Sequence, residues 1–309
     1  MRKKWFRAAV MPGSFQPGEY CQPPGTMVTR VSGRAGAPGG AYIHEQAPIE
    51  DIGVGDRVVA LHPRGSWKAN GGCFVSEVCR REFSGELIRA TTGSGLSSRY
   101  TPNHWCAVRV GDSLNDRHVV YMVRKNGHYR IGKAKGVTGA GSRPQIGFMA
   151  RYHRERADAV WALSLHGSET EAIQAVRQAQ ARYSLPVAVP AEGLSWTELK
   201  NNRDRAAEAL RAHGRDIDLP LWADKHNPQE NPVRLRSMNF INAANLWDGM
   251  TVLPERVLAD AGRRAGYYTA ANWVPARITR ENYKGPVYSI DVESHHTYFA
   301  DGIATHNCR

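Results

Sequence analysis

Apolar residues come along this chain in two textures. From Cys21 to about Val110 they form bursts of roughly four to six residues between turn residues: TMVTRV from Thr26, RVVAL from Arg57, CFVSEVC from Cys73, ELIRA from Glu86 and WCAVRV from Trp105. Short Val-rich runs of this kind are strand signals, so they predict a strand-dominated domain. The texture returns after Trp273 in ARITR, VYSIDV and TYFA, with Gly285-Pro286 and Asp301-Gly302 as turn signals.

The region between reads differently. Val119–Val123 and Tyr129–Gly132 predict two strands joined by a turn through Asn126-Gly127, and Val160–Leu165 predicts a third. Glu169 to Tyr183 predicts a helix, because Ala172, Ile173, Val176, Ala179 and Tyr183 recur on one face. Ser195 to His213 predicts a second helix with a largely charged surface. A β-rich domain that stops near residue 117 and resumes near residue 265 implies an insertion, which a surface loop tolerates when the insert's ends lie close together. The expected division is residues 1–20, a flanking fragment; 21–117 and 265–307, the two parts of the β domain; 118–186, an α/β insert; 187–264, a helical or irregular extension; and 308–309, a second flanking fragment.

The chain has 309 residues, with 41 Lys and Arg against 29 Asp and Glu, a net charge of +12. That excess favours contact with a polyanion. Between His118 and Ala265, 22 basic residues face 15 acidic ones, and His118–Ala157 holds nine basic residues with Glu155 the one acid. The sequence has no apolar run long enough to span a bilayer, and its basic start lacks the apolar stretch of a secretion signal; the expectation is a cytoplasmic protein with no membrane partner. Five cysteines without CxxC pairs suit neither a disulfide scaffold nor a thiolate zinc site. Cys73, Cys79 and Cys106 read as small apolar residues, whereas Cys21 and Cys308, near the ends, read as nucleophiles.

The last residues are Thr305-His306-Asn307-Cys308-Arg309. An asparagine side-chain amide can attack its own backbone carbonyl, closing a succinimide and breaking the peptide bond that follows. His306 is placed to protonate the departing amine, and Cys308 is then released with a free amino group. At the other border the Cys21 thiol can attack the Tyr20 carbonyl and convert an amide to a thioester. An amide is the more stable of the two, so the fold must polarise the carbonyl and assist the leaving nitrogen. Thr101 and His104, in Thr101-Pro102-Asn103-His104, supply a hydroxyl and an imidazole across one turn for a carbonyl and an amide nitrogen.

Taken in order, these elements resemble the Hint family, the inteins and their autoprocessing relatives. The resemblance is carried by Cys21 with Gly25-Thr26-Met27-Val28, by Pro48 to Val58 (PIEDIGVGDRV), by Thr101 with His104, by Val287 to Glu293 (VYSIDVE) with His296 to Ile303 (HTYFADGI), and by His306-Asn307-Cys308. It implies a mostly β horseshoe fold and four steps: thioester formation at Cys21, transfer to Cys308, cyclisation of Asn307, and an acyl shift. The excised segment is Cys21–Asn307, the flanking host segments (exteins) act in cis, and splicing needs no cofactor. His296 resembles a histidine that assists transfer to Asn307, with His295 its rival. Ser289 stands where many inteins carry aspartate. Asp291 would share a strand face with it and is the substitute carboxylate.

The strands at the start of the insert are similar to GIY-YIG nucleases, with Val120-Tyr121-Met122 as the first motif and Tyr129-Arg130-Ile131-Gly132 as the second. That resemblance implies a homing endonuclease acting on double-stranded DNA at the insertion site: Tyr121 and Tyr129 lining a water, Arg151 (Arg143 its rival) at the phosphate, His153 aiding proton transfer, and Glu171 holding Mg²⁺. Two other accounts compete. One is a Hint domain that cleaves without ligating; the other is a basic DNA-binding structural protein with a decayed insert.

Overall fold

The computed structural model describes residues 21–34, 42–61, 71–109, 114–138, 145–186, 202–223, 238–255 and 272–306. Strands dominate among them. Before the insert come β1 (Met27–Arg34), β2 (Tyr42–Pro48), β3 (Arg57–Val58), β4 (Cys73–Thr92), β5 (Ser97–Tyr100) and β6 (Trp105–Arg109). The middle of the chain gives β7 (His118–Lys125), β8 (His128–Lys135), β9 (Val137–Thr138), β10 (Gln145–Ile146), α1 (Gly147–Glu155), β11 (Ala159–His166), α2 (Glu169–Tyr183), α3 (Arg203–Ala212) and β12 (Trp222–Ala223). After it follow β13 (Met238–Asn242), β14 (Thr251–Val252), β15 (Val274–Val292), β16 (Thr297–Ala300) and β17 (Ile303–His306).

Eleven strands form one large sheet in the order β13-β6-β14-β15-β4-β3-β1-β16-β17, with β2 on β1 and β5 on β4. A further pairing of β17 with β6 closes this path on itself, with Thr305 opposite Cys106. The closure brings the end of the last strand to the start of β6, beside the Thr101–His104 turn. A tight hairpin makes it possible: Asp301 (φ 48°) and Gly302 (φ 73°) both adopt the left-handed conformation that a two-residue turn between β16 and β17 requires.

Two expectations need correction. CFVSEVC and ELIRA are halves of the single strand β4, and ARITR and VYSIDV belong to β15. The two pair antiparallel from Ala276–Thr92 to Val292–Val75 as one long ribbon. Gly285-Pro286 therefore lies within a strand instead of at a turn. Pro286 is tolerated there because the ribbon presents strand edges on which a missing N–H disrupts no ladder. Second, the sheet resumes well before residue 265. β13 pairs with β6 along its whole length, and β14 joins β6 to β15. Asn239–Asn242 is built into this sheet and Ala243–Asn245 follows it, with Phe240, Ile241, Asn242 and Asn245 buried.

The insert has its own four-stranded sheet, β12-β11-β7-β8. The Asn126-Gly127 turn forms as expected, with both residues at positive φ, and α2 spans the predicted residues. One face of this sheet packs Val120, Met122, Tyr129, Ile131 and Trp161 against α2 and α3. The other face carries Val119, Tyr121 and Val123 into a cluster with α1 and with Cys106, Val108 and Ile241 of the large sheet. Insert and β domain therefore share core. The insert also reaches past residue 186, because α3 and β12 complete it; the part of the expected second helix before residue 202 lies outside the described residues.

Candidate functional site

Cys21 is fully buried, and Thr101, also fully buried, binds both of its backbone polar groups. The Cys21 N–H donates to Thr101 Oγ1 at 2.9 Å. The Thr101 hydroxyl donates to the Cys21 carbonyl at 3.1 Å, as does the Thr101 N–H at 2.9 Å. Sequence reasoning expected one carbonyl and one amide nitrogen to be contacted by the Thr/His pair. Thr101 contacts both backbone groups of Cys21, the amide nitrogen and the carbonyl oxygen. Tyr20, Asn307 and Cys308 lie outside the described residues.

Next along the chain, Gln22 is locked on all sides. Its backbone exchanges two hydrogen bonds with Tyr288, of 2.9 and 2.8 Å. Its buried side chain accepts from the Tyr298 hydroxyl at 2.7 Å and donates to Ser98 Oγ at 3.3 Å. The Gln22–Tyr288 bridge is antiparallel, so the same register puts Ser289 directly across from Cys21. Ser289 is buried, so a carboxylate at that position would have to be desolvated. Asp291 lies two residues further along β15. Its carboxylate accepts from Ser76 Oγ at 3.0 Å and is 3.9 Å from His296 Nδ1.

His104 is buried and held in a short turn, its N–H donating to the Thr101 carbonyl at 3.0 Å. The turn is clamped by the end of β13 and the residues after it: Asn242 Nδ2 donates to the Asn103 carbonyl at 2.8 Å, Ala243 N–H to that of His104 at 2.7 Å, and Ala244 N–H to that of Pro102 at 2.8 Å. No spacing in the sequence marks Asn242–Ala244 for this role, because the residues act through backbone groups and one amide. The His104 ring stacks on Tyr100 with centroids 5.0 Å apart, and its Nε2 lies 2.5 Å from Thr305 Oγ1. Burial keeps the Tyr100 phenol and the Cys106 thiol protonated, with both pKa values well above their ordinary ranges. Cys106 thus behaves as the small apolar residue expected, while Cys73 and Cys79 are half-buried on β4.

His296, at φ 48°, faces His306 with ring centroids 6.5 Å apart and planes 24° from parallel. His306 also meets the edge of Phe240 at 5.0 Å. Asp291, His296 and His306 therefore form a line of side chains ending at the residue before Asn307, while Cys21, Thr101, His104 and Thr305 form a second, buried group. β17 carries members of both.

The insert's expected site is not assembled in the same way. Tyr121 and Tyr129 are both buried but lie on opposite faces of their sheet. Tyr129 packs against Trp161, and its backbone exchanges hydrogen bonds with the Asn202 side chain. Arg151 and Glu155 of α1 lie near Tyr121 instead, whose phenol is pushed up to about 12, chiefly by burial. Burial likewise raises the Glu155 carboxyl against the opposing charges of Arg130, Arg151 and Lys125. Motif matching gave neither Arg130 nor Glu155 a role. His153 is exposed on α1, edge-on to Tyr152, and Arg143 lies outside the described residues. Glu171 caps α2: its N–H donates to Ser168 Oγ at 3.2 Å and its carboxylate accepts from Gly167 N–H at 3.0 Å. One oxygen of that carboxylate is engaged in the cap, and among the described residues no three His, Cys, Asp or Glu side chains converge.

A cleft of about 530 Å³ opens where the insert meets the large sheet, between Arg117, Ser164, Arg215, Trp247 and Asp248. Arg215 donates to the carbonyls of Ala162 and Ala244 at 2.9 and 2.7 Å, and Arg280 donates to the same Ala244 oxygen at 3.1 Å. Burial and the Arg280 charge lower the Arg215 pKa to about 10. Neither Arg117 nor Arg215 makes an ion pair among the described residues.

No family model matches the chain, and no curated protein does. The solved structures to which it is similar are inteins and an intein-like domain. A bacterial intein-like domain from Clostridium thermocellum aligns at 14% identity over 93% of this chain and 98% of that one, with a TM-score of 0.36. A variant of the Ssp DnaB mini-intein aligns at 10% identity over 96% and 98%, with a TM-score of 0.40. The gp41-1 intein aligns at 11% identity over 91% and 98%, with a TM-score of 0.32. Likenesses this slight carry no weight of their own, so the functional reading rests on the side chains around Cys21 and β17.

Proposed function

We propose that this chain is a protein-splicing element of the Hint type. The observation that carries the reading is the closure of the large sheet. It sets the Cys21–Thr101–His104 group against β17, the strand that ends one residue before Asn307. In the proposed reaction the Cys21 sulfur bonds to the Tyr20 carbonyl carbon, the C–N bond breaks, and the freed nitrogen takes a proton. Thr101, bonded to the Cys21 N–H, and His104 beside it hold that nitrogen in place. The Cys308 sulfur then displaces the Cys21 thiol from the acyl group. Asn307 cyclises, its amide nitrogen replacing the amine of Cys308, which leaves with a proton from the His296–His306 line. A final shift of the acyl group from sulfur to that amine restores an amide between Tyr20 and Cys308, and none of these steps calls for a cofactor.

Intact mass analysis of a precursor with a reporter domain on each flank tests this reading. Ligated flanks and a free Cys21–Asn307 segment are the expected products. Cys21→Ala should block the thioester, and Asn307→Ala should block succinimide release. Separated flanks without ligation would replace splicing by autoprocessing, and an unchanged precursor would favour a structural protein.

For the insert we propose contact with the DNA backbone. The cleft at the junction supports this, since the exposed Arg117 and the half-buried Arg215 both line it without a carboxylate partner among the described residues, and paired guanidinium groups favour an anion of phosphate size. Binding of duplex DNA should weaken with salt, and Arg117→Ala with Arg215→Gln should reduce the log–log salt slope by about 0.9 for each lost phosphate contact. The same assay with added Mg²⁺ tests the endonuclease reading, through cutting of duplex that spans the insertion site. An unchanged slope would remove the cleft from the DNA interface.

A further inference from the structure

We propose that Thr305 is a positioning residue. It fixes which nitrogen of His104 carries the mobile proton, and so ties the first step at Cys21 to the docking of the final strand. The inference rests on the splicing reading above.

The argument is a count of protons. Thr305 is fully buried on β17. Its Oγ1 makes two short contacts, to His104 Nε2 at 2.5 Å and to the Trp105 carbonyl oxygen at 3.0 Å. A hydroxyl has one proton, and a carbonyl can only accept. The Thr305 proton therefore points to Trp105, and the hydrogen between His104 and Thr305 belongs to Nε2. The opposite choice, with Thr305 donating to the ring, would leave two bare oxygens facing each other at 3.0 Å in a dry site. Neutral His104 is thus the Nε2–H tautomer. The proton it gains or gives up during reaction goes on and off Nδ1.

The surroundings leave this assignment undisturbed. The ring stacks on Tyr100, while Cys106 follows on β6; both stay neutral through the working range because burial raises their pKa values. Asp301 acts on Tyr100, and burial is the largest influence on its carboxyl, in the raising direction. The backbone bonds of the turn, His104 N–H to the Thr101 carbonyl and Ala243 N–H to the His104 carbonyl, carry no titrating group. Among the described residues the side-chain oxygen hydrogen-bonded to Nε2 is Thr305 Oγ1.

Thr305 reaches His104 only when β17 is paired with β6, since Thr305 stands opposite Cys106 in that pairing. It is also two residues before Asn307. A precursor whose C-terminal strand has not docked therefore lacks the acceptor for Nε2–H, and His104 is not yet set for thioester chemistry. The effect is a sequence of events: the first bond is activated once the end of the segment is in place, which limits premature loss of the N-terminal flank.

The test uses the full precursor with Asn307→Ala, which blocks the last cleavage, and compares parent, Thr305→Val and Thr305→Ser. Thr305→Val keeps the branched shape and removes the hydroxyl. Two readouts are taken on each: ¹⁵N shifts of the His104 ring nitrogens, and the rate of N-terminal cleavage by added thiol as a function of pH. The parent and Thr305→Ser should show protonated Nε2 with unprotonated Nδ1 above the His104 midpoint. Thr305→Val should lose that tautomer preference, slow cleavage by about tenfold or more, and shift the midpoint of the pH profile. If Thr305→Val keeps the Nε2–H tautomer, rate and profile of a parent that cleaves, the positioning role is wrong and splicing stands. If the parent forms no thioester, the splicing reading is wrong, and the proposal falls with it.

Discussion

Thr101 Oγ1 lies 2.9 Å from the Cys21 amide nitrogen and 3.1 Å from the Cys21 carbonyl oxygen, so one buried hydroxyl sets both backbone groups of a residue eighty positions away. Such a clamp fixes the direction of the Cys21 N–H without a charge.

Thr101→Ala should therefore slow thioester formation by about tenfold, because the buried acceptor that orients the reacting Cys21 N–H is lost. Thr101→Ser should retain most of the rate. Thiol-induced N-terminal cleavage followed by mass spectrometry measures both, and a full-speed Thr101→Ala protein would show that the hydroxyl has no part in the step.

Gln22 and Tyr298 meet through a buried 2.7 Å hydrogen bond that joins the strand entering at Cys21 to β16. Gln22→Ala should destabilise the fold by about 2 kcal/mol, because it strips a buried hydroxyl of its acceptor. Urea midpoints for Gln22→Ala, Tyr298→Phe and the double variant form the check. A coupling of about 1 kcal/mol is expected, and additive effects would place the two side chains in separate environments.

Glu255 is a buried carboxyl that accepts from Thr29 Oγ1 at 2.6 Å, while its Oε1 is buried without a hydrogen bond. Burial raises its pKa from the ordinary 4.5 to about 7, and the Thr29 bond opposes that rise. A carboxyl whose folded pKa is raised stabilises the fold when protonated. Its contribution is complete below pH 4.5, declines as pH rises from there, and is gone above about 7, a span worth about 3 kcal/mol. Glu255→Gln should flatten this decline and raise the melting temperature at pH 8, with little change at pH 4.5. Parallel pH–stability curves for the two proteins would contradict it.

Asn202 bridges to the backbone of Tyr129 through two hydrogen bonds, of 3.0 and 2.8 Å, at the start of α3. Asn202→Ala leaves the Tyr129 N–H and carbonyl to find other partners in a buried seam. Amide exchange in α3 should then accelerate by about one to two orders of magnitude, while exchange in β4 and β15 stays unchanged. Equal acceleration everywhere would mean that the insert and the large sheet unfold as one unit.

Much of this was legible in the residues. The Val-rich bursts gave strands, the Asn126-Gly127 and Asp301-Gly302 pairs gave their turns, and the face Ala172–Val176–Ala179–Tyr183 gave α2 at its full length. These features are local, and local propensity decides them. Other features were hidden for a physical reason. Whether CFVSEVC and ELIRA are two strands or one depends on a partner, β15, that begins 182 positions after β4 closes, and no periodicity reports it. The separation of Tyr121 from Tyr129 depends on parity within a hairpin register. That Glu171 caps α2 was likewise hidden, because a carboxylate looks the same in sequence wherever its oxygens find partners.

By itself the sequence determined the chemistry available: a thiol at Cys21, a hydroxyl and an imidazole one turn apart, and a histidine before an asparagine. It also determined that strands would carry them. Only the tertiary structure decided which groups meet, because the pairing of β17 with β6 joins the two ends of the β domain and puts Thr305 against His104. Hydrogen bonds are directional and short, so a contact between residues so far apart in the chain exists only once the sheet has closed.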